Sequence, residues 1–305
     1  MQKPTFDPGL TQQFTGNLRR AINKDGSFNV ERQGGTWRNI HPYLHLINVG
    51  WPTFLGLVLL AYIVVNTIFA LIYFALGPGH LQNADMPTPL GRFLNDFFFS
   101  AHTLTTVGYG NLAPGSISAN IVATFEAITG LMGFALATGL LFGRVSRPSA
   151  KIGFSEKMLM APYQEGRSLQ FRLVNLRPNV LIELSASITL MTVEPGPSGL
   201  TRQFQALTLE RTSVYFFPLT WTVVHPIDES SPLRGKTAAE LEALQAEVLI
   251  LIKGFDDTFS QMVNARYSYR YDEMVWDAKF NPAFHIDAAG RMVLDVNQVS
   301  DFTIV

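Results

Sequence analysis

Phe93-Leu-Asn-Asp-Phe-Phe-Phe-Ser-Ala-His-Thr-Leu-Thr-Thr-Val-Gly-Tyr-Gly110 decides how the rest of the chain is read. Residues 93–104 are apolar and aromatic. At 1.5 Å per residue they give a helix of about 18 Å, too short to cross a hydrocarbon core of about 30 Å. They predict a re-entrant or buried helix. The stretch then ends with glycine at alternate positions, Gly108 and Gly110. Glycine enters left-handed backbone without a Cβ clash. The segment can therefore alternate the hand of its backbone.

Long apolar segments lie on either side. Residues 53–76 carry no charge, and such a helix extends about 36 Å, enough to span a bilayer. Trp51 and Tyr73 fall where interface aromatics are expected. A Gly/Pro/Asp-rich turn region occupies 77–92. Residues 117–143 form the second apolar stretch, interrupted only by Glu126. It carries Gly130, Gly133 and Gly139, small residues suited to close helix packing. The reading is span 52–76, pore helix 93–104, glycine-bearing segment 106–110, span 117–143.

Charge divides the chain in the same way. Only four of its 47 charged side chains (Asp85, Arg92, Asp96 and Glu126) lie in residues 39–143. The remainder carries charge at the density of ordinary soluble domains. A single water-soluble globule and a disordered chain are both excluded. A net charge of −1 gives no support to nucleic-acid binding. The absence of cysteine excludes disulfides, thiolate metal sites and a Cys nucleophile, and leaves the redox compartment unread.

The first 38 residues are polar, carry six Lys/Arg and lack a signal peptide's apolar core. Residues 37–50 mix aromatic, apolar and polar positions, suiting a helix in the bilayer interface. Arg144, Arg147, Lys151 and Lys157 follow the second span, and only Arg92 lies between the spans. The positive-inside rule then puts both termini in the cytoplasm. Arg38, Arg144, Arg147 and Lys151 fall at the cytoplasmic membrane surface. There each attracts anionic lipid by about 1 kcal/mol, or serves only as a topology signal.

After Pro148 the periodicity becomes that of strands. Ile182, Leu184, Ala186, Ile188 and Leu190 alternate through residues 180–193. Further β-rich runs are read at 169–176, 204–211, 219–225, 247–253, 262–270, 273–280 and 291–296. Thr237-Ala-Ala-Glu240 is a capping box opening a helix at 238–246. Many short strands between turns predict a β-sandwich.

Thr106-Val107-Gly108-Tyr109-Gly110, set between two spans, carries the chemistry. A K⁺ filter replaces the ion's hydration shell with backbone carbonyls. Carbonyls that aim the same way require alternating, partly left-handed backbone, which Gly108 and Gly110 allow. The Thr106 hydroxyl can add a ring of oxygens. Val107 and Tyr109 can pack on the pore helix and hold the ring size. Non-helical backbone at membrane depth is tolerated only when buried in protein or lining a water-filled cavity. The negative end of the pore-helix dipole, near Leu104, favours a cation, and Asp96 lies toward the opposite end. Glu126, ionisable inside a span, is read as a hydrogen-bonding support behind the filter.

Other patterns carry less. His41 and His45 stand i,i+4, but Pro42 intervenes and no acidic third ligand is near in sequence. Gly77-Pro-Gly79 follows a span and lacks the third glycine of a dinucleotide fingerprint. No Walker loop, nucleophile elbow or other constellation for catalysis is present. A pore with a nucleotide-sensing domain and a membrane-anchored receptor are rival readings; the lack of a dinucleotide fingerprint and the β-rich C-terminal part argue against the first, and the second would not require the glycine-bearing segment.

Two further stretches are more specific. Lys24-Asp-Gly-Ser-Phe-Asn-Val30 and Trp221-Thr-Val-Val-His-Pro-Ile-Asp-Glu-Ser-Ser-Pro-Leu233, together with the filter motif, resemble the inward-rectifier potassium channels of the prokaryotic branch. The resemblance covers nearly the whole chain. It implies a homotetramer with a cytoplasmic N-terminal segment (1–36), an interfacial slide helix (37–50) and a two-span pore domain (51–146). An immunoglobulin-like cytoplasmic domain (147–305) would extend the pore. Gly130 resembles the family's inner-helix hinge. Phe134 falls where strong rectifiers place an acid, and Phe142 falls at the bundle-crossing gate. With Thr138, these positions recur every four residues on one slowly drifting helical stripe. Glu183 resembles an acid of the cytoplasmic pore. Lys253 and His102 stand where the family usually has glutamate, the latter behind the filter. These departures imply weak rectification and weakened block by Mg²⁺ or polyamines. The basic surface residues resemble the family's phosphoinositide-binding regions. The resemblance implies no covalent cofactor, and K⁺ ions in the pore.

Overall fold

The computed structural model describes residues 9–10, 13–14, 20–31, 33–34, 42–84, 86–146, 151–196 and 199–305. It divides into two units, residues 33–147 and a second formed by 1–32 with 148–305. The N-terminal segment, read above as separate, thus belongs with the β-rich domain.

The first unit is helical. A short helix α1 (Pro42–Asn48) precedes α2 (Trp51–Ala75), α3 (Pro89–Leu104) and α4 (Ile117–Val145). The expected interfacial helix is seven residues long, ending before Val49 and Gly50; residues 35–41 lie outside the described residues. Helices α2 and α4 are apolar and long enough to cross a membrane. At 1.5 Å per residue they extend about 37 and 43 Å. Helix α3 begins four residues before the expected position. Thr88 caps it by accepting a hydrogen bond from the Gly91 N–H, and Pro89 occupies its first turn. The apolar run hid this polar start.

The second unit is a β-sandwich. One sheet runs in the order Gln13–Phe14, Gly199–Ala206, Leu181–Gly196, Glu247–Asp256, Gln261–Arg270, with Ser213–Phe216 also pairing with Leu181–Gly196. The other runs Thr220–Pro226, Gly166–Asn175, Met158–Tyr163, Met274–Trp276, with Ile152–Phe154 on Gly166–Asn175. Leu169, Phe171 and Val223 from one sheet and Leu184, Ile188, Val248 and Ile250 from the other form one buried core. Helix α5 (Ala238–Ala243) carries the expected capping box, with Thr237 and Glu240 each serving the other's backbone.

Some strand readings need correction. The run at 204–211 leaves its sheet after Ala206. Leu207 N–H then bonds to Ile188 C=O and Glu210 N–H to Val224 C=O, so this segment links the two sheets. The run at 273–280 is two strands, separated by Asp277 with φ +52°.

The N-terminal segment is tied to the sandwich by charge. Buried Glu247 accepts hydrogen bonds from the Ala21 and Ile22 N–H groups. Glu273 pairs with Arg20 and, at 2.8 Å, with Lys24. Burial alone would push the Glu273 carboxyl up, but bonds from Lys24 and the Arg270 N–H, with the charges of Lys24 and Arg20, hold it below its ordinary pKa.

The signature Trp221–Leu233 is built into the core. His225 is buried, with Nδ1 2.6 Å from the Thr208 C=O and Nε2 2.8 Å from Ser231 Oγ. Burial pushes its imidazole pKa down.

Candidate functional site

Helix α3 delivers the glycine-bearing segment. Its last turn closes through Thr105 N–H to Ala101 C=O and Thr106 N–H to Thr103 C=O. Beyond it, Thr106, Gly108 and Gly110 have φ of +59°, +54° and +80°, while Val107 and Tyr109 between them lie outside the positive-φ region. The hand of the backbone therefore alternates residue by residue. A β-branched residue at positive φ is a genuine outlier, and such strain concentrates at functional sites. The Val107 and Gly108 N–H groups both reach the His102 C=O, at 2.9 and 3.2 Å. The His102 ring meets the Tyr109 ring edge-on at 4.7 Å. Val107 and Tyr109 are 52% and 73% exposed. Within one chain, Tyr109 meets the helix through the His102 ring, and both Val107 and Tyr109 stay largely exposed.

Behind α3 lies a buried polar network. Glu126 on α4 accepts hydrogen bonds from Tyr73 Oη on α2, at 2.7 Å, and from Ser100 Oγ on α3. Ser100 Oγ also lies 3.0 Å from Asn66 Oδ1 on α2. All three helices are joined through groups that would be costly to bury unpaired. Glu126 thus holds α3 at Ser100, about one turn before the helix ends at Leu104. Tyr73, expected at the interface, is fully buried and packs edge-on against Phe99 at 5.1 Å. Asp96, expected near the helix start, is mid-helix because α3 begins at Pro89, and it pairs with His80 at 2.8 Å. Asn66, Ser100 and His80 were missed. Polar residues placed among apolar ones at membrane depth were the available signal.

On α4 the four-residue stripe is not uniform. Phe134 and Phe142 are 73% and 72% exposed, and Thr138 is exposed. Gly130 is buried, and a Cβ there would overlap the Leu104 C=O at the end of the pore helix. It is a close-approach glycine, whatever hinge it provides.

Arg144 is not a free lipid contact. Its guanidinium donates to the Leu46, Ile47 and Val49 carbonyls at 2.5, 2.9 and 2.7 Å, capping the end of α1. It also lies over the Trp51 and Phe54 rings. Arg38, His41 and Arg147 lie outside the described residues, and Lys151 is exposed.

In the sandwich, Glu183 has φ +51° and forms a bulge facing the register shift between Lys253 and Phe255. The bulge breaks the expected alternation: Leu181 and Leu184 are buried, whereas Ile182 is half-buried. Glu183 and Lys253 are both exposed on adjacent strands, with no ion pair between them among the described residues.

Two membrane-length helices around a short helix and a left-handed-alternating segment define a membrane pore protein with an immunoglobulin-like β-sandwich domain. Residues 54–147 match the family model described as "Ion channel", and residues 152–305 match "Inward rectifier potassium channel C-terminal domain". The chain is 38% identical over 283 residues to "Inward rectifier potassium channel Kirbac3.1" of Paramagnetospirillum magnetotacticum, covering 92% of this chain and 94% of that one. It is 26% identical to "G protein-activated inward rectifier potassium channel 3" of Homo sapiens, covering 94% of this chain and 78% of that one. The chain belongs to the inward rectifier potassium channel family, which consists of ion channels and not of enzymes.

Proposed function

We propose that four copies of the chain surround one axis and conduct K⁺ passively through a filter formed by Thr106, Val107, Gly108, Tyr109 and Gly110. The alternating φ of Thr106, Gly108 and Gly110 carries this reading, because it suits a ladder of carbonyls that stand in for water around a dehydrated cation. The exposure of Val107 and Tyr109 in the single chain supports assembly, since neighbouring copies would supply the missing packing. His102 and Glu126 support the filter from behind. Both termini are cytoplasmic in this reading, and Glu183 and Lys253 face the cytoplasmic pore.

Phe142 is the gate. Four such rings can close a hydrophobic constriction that shuts by dewetting, opened when the inner helices splay near Gly130 under the influence of the cytoplasmic domain and membrane lipids. Lys151, with Arg38 and Arg147, supplies the charge for anionic lipids or phosphoinositides. Rectification is weak because Phe134 and Lys253 put no acid where Mg²⁺ or a polyamine would bind. Rb⁺ uptake into liposomes containing the purified protein tests the reading. Phe142→Ala is expected to raise resting uptake several-fold over wild type; equal uptake would remove the gate assignment.

A further inference from the structure

The pore reading leaves one buried pair without a role. His80 follows the turn that ends α2, and Asp96 lies in the middle of α3; they are 4% and 0% exposed. His80 Nε2 lies 2.8 Å from Asp96 Oδ1, and Nδ1 is bonded to the Gly77 C=O. A carbonyl oxygen and a carboxylate oxygen only accept hydrogen bonds, and a neutral imidazole has a single N–H. Neutral His80 with ionised Asp96 therefore leaves one of these contacts without a proton. The other carboxyl oxygen, Asp96 Oδ2, is buried with no hydrogen-bond partner among the described residues. The carboxyl's hydrogen-bond compensation thus comes from His80, with the charge of Arg92 acting on it from farther away.

We propose that His80 and Asp96 share one exchangeable proton that latches the α2–α3 turn to the pore helix, making them positioning residues for the segment that α3 carries. This rests on the pore reading above. The proton satisfies both contacts whether it sits on the imidazole or on the carboxyl. Without it, an imidazole lone pair faces an oxygen lone pair, at Asp96 or at Gly77 according to the tautomer, between buried groups. The groups that face the pair do not substitute for the proton. Tyr73 of α2 stacks on the His80 ring at 6.2 Å, and its hydroxyl is committed to Glu126 of α4. Arg92, one turn earlier on α3, lies over the Phe74 ring. No hydrogen bond or ion pair joins these groups to His80 or Asp96 among the described residues.

The test measures thermal dissociation of the purified full-length protein and Rb⁺ uptake in liposomes, both from about pH 6 to about pH 9, beyond the range in which ordinary histidines titrate. The latched form holds the proton, so raising the pH is expected to lower the wild-type dissociation temperature by several degrees and uptake several-fold. In Asp96→Asn the amide N–H donates to Nε2 of neutral His80, closing the latch without the proton. That variant is expected to lack the fall. Should Asp96→Asn not assemble, His80→Gln keeps a donor toward Asp96, removes the imidazole, and is expected to lack the fall too. A wild-type profile without the fall, or the same fall in wild type and variant, overturns the proposal. The thermal arm needs no conduction, so absent uptake at every pH would count against the pore reading and leave the latch to be decided separately.

Discussion

Gly108→Asp is expected to give a protein that assembles but carries no K⁺. Gly108 has φ +54°, and a Cβ built there meets nothing within 4 Å in the chain. The substitution therefore causes no clash inside the subunit. Its backbone cost is about 1–2 kcal/mol for a left-handed L-residue, and aspartate is among the residues that tolerate this best. The fold and the assembly should withstand that cost. Conduction should not, because carbonyl alignment in the proposed filter depends on glycine's freedom at this position and each copy adds a carboxylate beside the ion path. Rb⁺ uptake is expected to fall to that of protein-free liposomes while the purified protein still elutes at the wild-type position. Persistent K⁺-selective uptake would defeat the filter assignment.

Gly130→Ala has the second largest expected effect, and it separates two roles for one residue. If hinge flexibility alone mattered, alanine, which favours helix by about 1 kcal/mol over glycine, would stiffen α4 and leave assembly intact. The structure predicts otherwise, because the added Cβ overlaps the backbone C=O of Leu104. No side-chain rotation relieves a clash with backbone. Overpacking of this kind costs about 1–3 kcal/mol, repeated in every subunit. Gly130→Ala is expected to lower the dissociation temperature and uptake together. Gly133→Ala, whose Cβ meets nothing within 4 Å in the chain, is the matched control. Wild-type stability and uptake in Gly130→Ala would show that the close approach is not required.

What the sequence disclosed follows from which signals are local. Apolar length revealed α2 and α4, alternating glycines marked the segment after α3, and the Thr237–Glu240 box opened α5. Each depends on neighbours a few positions apart. The contacts that hold the site together do not. Tyr73 reaches Glu126 across 53 residues, and Arg144 reaches Leu46 across 98. Nothing in the order of residues distinguishes an arginine that caps a helix from one that waits for lipid. Read as a periodic stripe, Gly130 belongs with Phe134, Thr138 and Phe142; only the packing against Leu104 sets it apart. The Glu183 bulge was equally invisible, since it exists only against the strand that pairs with it.

In the proposed filter, backbone oxygens of residues 106–110 replace the hydration shell of K⁺ and do so poorly for Na⁺. The most direct measurement is the reversal potential of single reconstituted channels in a planar bilayer with K⁺ on one side and Na⁺ on the other. A potential close to that of a membrane permeable to K⁺ alone is expected. A potential near zero, with Na⁺ passing as readily as K⁺, would contradict it.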